Sequence, residues 1–110
     1  MAFSNASKNV ALDAIGAAAT WLSVHSADPG TTGANEVASS TRAQTTWSPA
    51  SGGSKTGTVA AIGVPAGATI THWGLWTGSS GGTFHTGNTL PASESYGSAG
   101  VYNATPTLTA

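Results

Sequence analysis

Cysteine is absent from this 110-residue chain, which excludes disulfides and thiolate metal sites and leaves the redox compartment unreadable. Charge is nearly absent too. Three Lys and Arg stand against four Asp and Glu, giving 6% charged residues and a formal net charge of −1. Soluble domains usually carry about 25% charged residues. Without a basic stripe to displace counterions the chain has no electrostatic footprint for nucleic acid, and no nucleic-acid partner is expected. Nor is there an acidic run that would act as a solvating tail. Long apolar runs are missing as well. The Ala-rich start, "MAFSNASKNVALDAIGAAATWLSV", is interrupted by Lys8 and Asp13, so it reads as neither a signal peptide nor a membrane span, and no membrane partner is expected.

What the chain has instead is small residues. Ala, Gly, Ser and Thr make up the majority, large aliphatics are scarce, and four Trp stand out. Low net charge and apolar residues at strand spacing point to a folded domain with a thin core rather than to disorder. A thin core gains from burial against neighbours. A surface with few charges to desolvate suits close packing in an assembly. Both features favour an oligomeric or lattice setting, with copies of the chain itself among the expected partners.

The pattern predicts one domain over 1–110, with a helix over 5–20 and a β-sandwich over 21–110. Ser4 or Asn5 can cap the helix. At 100° per residue Ala11, Ala14, Ile15, Ala18 and Leu22 fall on one face, and Asn9, Asp13, Gly16 and Thr20 on the other. From Trp21 the period becomes two. Strands are expected at "WLSVHS", "TRAQTTW", "TVAAIGV", "TITHWGLWT", "TFH" and "VYNATPTLT", separated by turns such as "ADPGTTGANE" and "GSSGG". Pro106 should place the last strand at a sheet edge or in a bulge. The expected fold is mainly β: an antiparallel β-sandwich or small barrel of about six strands with an N-terminal helix.

Catalytic signals are weak. His25, His72 and His85 lack the i,i+2 or i,i+4 spacing of a legible metal site. Serine is plentiful, but no G-x-S-x-G elbow marks a nucleophile. The four carboxylates offer no adjacent pair. "GGSKTG" lacks the glycine before lysine that a phosphate loop needs. "NAS" and "NAT" match glycosylation sequons without a secretion signal to use them. No enzyme activity, no cofactor and no metal is therefore expected.

The tryptophans carry the strongest signal. In "ITHWGLWTG" Ile70, His72, Gly74 and Trp76 share one strand face, while Trp73 and Leu75 share the other. Both faces are bulky, and a single sheet layer buries only one against its own core. The expectation is Trp76 on the core side and Trp73 toward the helix or a neighbouring subunit. Trp21, Trp73, Leu75 and Pro106 are the expected interface residues. An exposed Trp face would alternatively stack on a sugar ring, so a host-surface glycan is a further possible partner.

Four blocks, "HSADPGTTGANEV", "TTWSPASGGS", "VPAGATITHWGLWTGSSGGTF" and "SESYGSAGVY", together resemble a family of small virion proteins of tailed bacteriophages, especially those infecting actinobacteria. Members include head-decoration, minor tail and tail-fibre-like proteins. Trp73 and Trp21 stand where this family would be expected to hold smaller residues. The resemblance implies a non-enzymatic virion protein assembled in the host cytoplasm, touching major capsid or tail proteins. Compactness and the lack of shaft repeats lean toward a capsid-surface decoration protein, with a minor tail, tail-fibre or baseplate module as the alternative.

Overall fold

A computed structural model describes residues 1–110. Helix α1 (Asn5–Ala18) is followed by β1 (Trp21–His25), β2 (Ala43–Gln44), β3 (Ser54–Thr56), β4 (Ala60–Val64), β5 (Thr69–Trp76), β6 (Phe84–Ser95), β7 (Gly100–Ala104) and β8 (Thr107–Thr109). All pairings are antiparallel. One sheet runs β2-β1-β5-β6, and β3-β8 and β4-β7 form two ribbons, so no barrel closes. The mainly β reading with one N-terminal helix holds, as antiparallel sheets rather than a barrel. No helix is long and apolar enough to cross a membrane.

Ser4 caps α1, its hydroxyl accepting the Ser7 N–H at 3.2 Å. The helix stops at Ala19, whose extended backbone feeds straight into β1. Its packing face differs from the expected one. Leu12 and Gly16 are buried, whereas Ala11, Ala14 and Ala18 are exposed. Alanine gains little from burial, so polar anchors decide the orientation. Asn9 Oδ1 accepts the Gly53 N–H and Asp13 Oδ1 accepts the Ala50 N–H, both at 2.9 Å. These bonds turn the "polar" side of the helix inward onto the loop that leads into β3.

The core is one cluster in which Leu22 and Val24 of β1 stand opposite Leu75 and Trp73 of β5, joined by Ile62, Ile70, Leu90, Leu108 and Leu12. Buried residues number 22 of 110, so the core is thin, as the composition predicts. Eight strands form where about six are expected. Thr105 and Pro106 split the last predicted strand into β7 and β8. The buried Pro106, which has no N–H to give, accepts the Gly57 N–H on its carbonyl at 3.0 Å. The sheet-edge strand β6 continues well past "TFH", through Pro91 and a register shift, a place where proline costs no ladder bond.

Candidate functional site

The second face of β5 is covered by the chain's own loop. Trp21, Ser23 and His25 of β1 lie beside Trp76, Gly74 and His72 of β5. Over them folds the segment between β1 and β2. It is anchored by the Val37 N–H to the Val24 carbonyl and the Ser26 N–H to the Asn35 carbonyl, both at 3.0 Å. Gly33 has φ +78°, and an added Cβ would sit 2.5 Å from the Trp76 ring. Only glycine combines that backbone with that approach. Arg42 closes the lid. Its guanidinium lies 3.9 Å from the Trp76 ring centroid and bonds both Glu36 carboxylate oxygens at 2.9 Å. It also donates to the Gly78 and Gly81 carbonyls at 2.9 and 2.8 Å, so one cation ties two turns to an aromatic face.

Beneath this lid runs a hydrogen-bonded relay. The Trp76 indole N–H donates to Ser23 Oγ at 2.8 Å. Ser23 Oγ lies 2.7 Å from His25 Nε2, and His25 Nδ1 lies 2.7 Å from the Ala34 carbonyl. Because the carbonyl can only accept, Nδ1 carries the proton and Nε2 accepts from Ser23. Burial pushes the His25 pKa below its ordinary 6.5, against the Ala34 bond and Glu36, which pull it up. A Ser–His contact of this length resembles a nucleophile and its base. Here both residues are fully buried, and the third partner is a neutral carbonyl rather than a carboxylate. The relay holds the lid down and offers nothing to a substrate. His85 is exposed on β6, His72 bonds Thr71 within its own strand, and no three potential metal ligands converge.

The structure places the four expected interface residues as follows. Trp21 is half-buried, while Leu75, Pro106 and Trp73 are buried. Trp73 is 8% exposed, and its small accessible part reaches a hollow of about 180 Å³ shared with Leu90, Tyr102 and Pro106. Trp73 faces the core and Trp76 the lid, the reverse of the sequence expectation. The reason is that β1 aligns Val24 and Leu22 with Trp73 and Leu75.

The largest hollow lies elsewhere, a groove of about 570 Å³ between α1 and residues 44–49. Trp47 forms one wall. Its indole N–H donates to the Ala19 carbonyl at 2.9 Å, fixing the ring at the end of the helix. Gly16 opens the floor, since a Cβ there would meet Lys55 Nζ at 2.5 Å and Trp47 at 3.2 Å. Lys55 reaches in from β3, only 6% exposed, and pairs with Asp13 at 3.0 Å. The Ala50 N–H bond and Lys55 hold the Asp13 carboxyl below its ordinary 3.8. Sequence reading gives Trp47 no special role, because the groove joins three segments far apart in the chain.

A family model described as "Podophage GP4 fiber I protein gp80" matches residues 2–107, nearly the whole chain. No curated protein matches it. The chain belongs to this podophage fibre family and is a structural, non-enzymatic component of the phage virion.

Proposed function

We propose that this protein is a building unit of a tail-borne phage fibre, held in place by contacts with other copies of itself and with adjoining virion proteins. The observation that carries the reading is the family match over residues 2–107. It favours the tail-fibre alternative over the capsid-surface decoration to which compactness alone leans. The structure supplies a fitting surface. On the outer side of α1, Ala6, Val10 and Ala14 are exposed in one stripe, and Phe3 stands exposed just before the helix. That stripe carries no charge, so a neighbour could cover it without desolvating an ion. Trp21, half-buried on β1, remains the one expected interface tryptophan with surface to offer a partner. Trp73, Leu75 and Pro106 contribute from beneath, as the packing that keeps the surface in shape.

Cryo-electron microscopy of the intact particle tests the reading. Density for this fold within fibres projecting from the tail is the expected result. Copies spread over the capsid surface at its symmetry axes would overturn it.

A further inference from the structure

We infer that the open edge of the strand run from Val101 to Thr109 pairs with the same edge of a second copy of the chain, antiparallel and about a two-fold axis at Thr105. The inference rests on the reading that copies of this protein meet one another in the particle, and it names the surface by which they do so.

Backbone direction identifies the edge. In an antiparallel ladder the N–H and C=O of successive residues point alternately toward and away from the partner strand. Gly63 of β4 exchanges both its bonds with Thr41, at 2.9 and 3.1 Å, so it faces away from β7. Its register partner Val101, and Asn103 opposite Ala61, therefore face away from β4. In β8 the Pro106 carbonyl accepts the Gly57 N–H at 3.0 Å, and the Ala110 N–H donates to the Gly53 carbonyl at 3.1 Å. Thr107 and Thr109 thus face away from β3, and Thr105, between the two strands, makes no backbone hydrogen bond. Val101, Asn103, Thr105, Thr107 and Thr109 present their polar groups along one side. Of these groups only the Val101 carbonyl has a partner, the Tyr96 hydroxyl at a long 3.4 Å. Pro106 does not interrupt this edge, because its missing N–H lies on the inner side with its bonded carbonyl. Nor does β6 cover it. Two hollows of about 180 and 280 Å³, both lined by Trp73, lie between β6 and residues 102–109.

An unpaired strand edge is a template for another strand, and charged side chains commonly blunt it. Here no charged residue stands anywhere from Ser95 to Ala110. The edge residues all have exposed side chains, and all but Asn103 are β-branched, which suits a pleated surface. Self-complementarity selects the occupant. With Thr105 opposite Thr105 of a second copy, Asn103 meets Thr107 and Val101 meets Thr109. Every outward N–H then finds an outward C=O, and no bond is asked of the proline nitrogen. The cross-strand pairs join hydroxyls, an amide and a β-branched apolar group, with no like charges opposed. Val101, 56% exposed in the single chain, gains cover. Each copy brings one such edge and uses it in full, so the assembly closes at two copies.

The test uses the full chain in solution. Sedimentation equilibrium should show a dimer that forms as concentration rises. Hydrogen exchange of the Asn103, Thr105 and Thr107 amides should slow as it forms, while the Tyr102 and Ala104 amides, turned toward β4, stay protected throughout. Charge placed on the axis gives the specific check. Thr105→Lys and Thr105→Glu each set like charges opposite one another, and each should weaken dimerisation by at least about tenfold, near 1.4 kcal/mol. An equimolar mixture of the two variants should recover a dimer, since opposite charges then meet. Thr105 is exposed, so both variants should melt as the parent does at low concentration. The inference is overturned if the parent chain stays monomeric at millimolar concentration, if exchange at the outward amides ignores concentration, or if either charged variant alone dimerises as tightly as the parent. A monomeric chain would strike this contact alone, leaving the fibre reading to be decided by where the fold appears in the particle.

Discussion

Arg42 and Gly33 hold the lid on Trp76 from two directions, one by attraction and one by fit. Arg42 makes four hydrogen bonds and lies over the indole. Truncating it to alanine leaves Glu36 unpaired and two carbonyls open, and should cost about 2–3 kcal/mol in urea unfolding. Gly33→Ala should cost roughly 1–3 kcal/mol by a different route, since a Cβ at φ +78° must push into Trp76. His25 adds a pH dependence. Its pKa is lowered on folding, so the unfolded chain binds the proton more readily in the window below about 6.5. Its contribution is complete above that value and is lost as pH falls through it toward the folded-state pKa. Thermal unfolding between about pH 7.5 and pH 5 should therefore show a falling melting temperature. A His25→Gln variant should start lower and lose much of the slope. An equal slope in both proteins would assign the acid sensitivity to other groups.

Among the elements, those with strong side-chain contrast were legible and those built of small polar residues were not. The strands β1 and β5 alternate large apolar groups and could be read directly, down to the two covered faces of β5. By contrast β3 lies inside "SPASGGSKTG", where Gly and Ser signal a loop, and its only strong marker is Lys55, which points into the groove. Most of β6 is "HTGNTLPASES", in which Leu90 alone is buried and most other residues are exposed, so no alternation of large apolar groups marks it. The helix could be placed, yet its facing could not, because alanine carries little preference and hydrogen bonds from Asn9 and Asp13 decide it. The lid is not legible in the sequence for a similar reason. Pro29, Gly33 and Asn35 read as turn chemistry, and only the tertiary structure shows that the turn lies on an aromatic ring. These points yield a prediction for α1. Val10 is 72% exposed, so Val10→Asp should alter monomer stability by no more than about 0.5 kcal/mol. If the outer stripe of α1 meets a neighbour in the fibre, the same change should reduce the assembled fraction in light scattering. Full assembly of Val10→Asp would assign the fibre contact to another surface.

For the whole molecule the decisive property is the near absence of charge combined with a thin core. Only two ion pairs are present, Arg42–Glu36 and Lys55–Asp13, and each lies within the chain, one fastening the lid and one in the groove. The 45 Å long axis of a body about 26 Å across leaves much of the surface as neutral hydroxyls, small side chains and the alanine stripe. Contacts between such surfaces are made by apolar burial and neutral hydrogen bonds, which salt does not screen. Assembly driven this way should survive, or strengthen slightly, in molar sodium chloride, because excluded salts favour apolar burial. Sedimentation of the purified protein across a salt series checks this directly. Dissociation of the assembly as salt rises would mean that the few charged side chains, rather than the neutral surface, hold neighbouring subunits together.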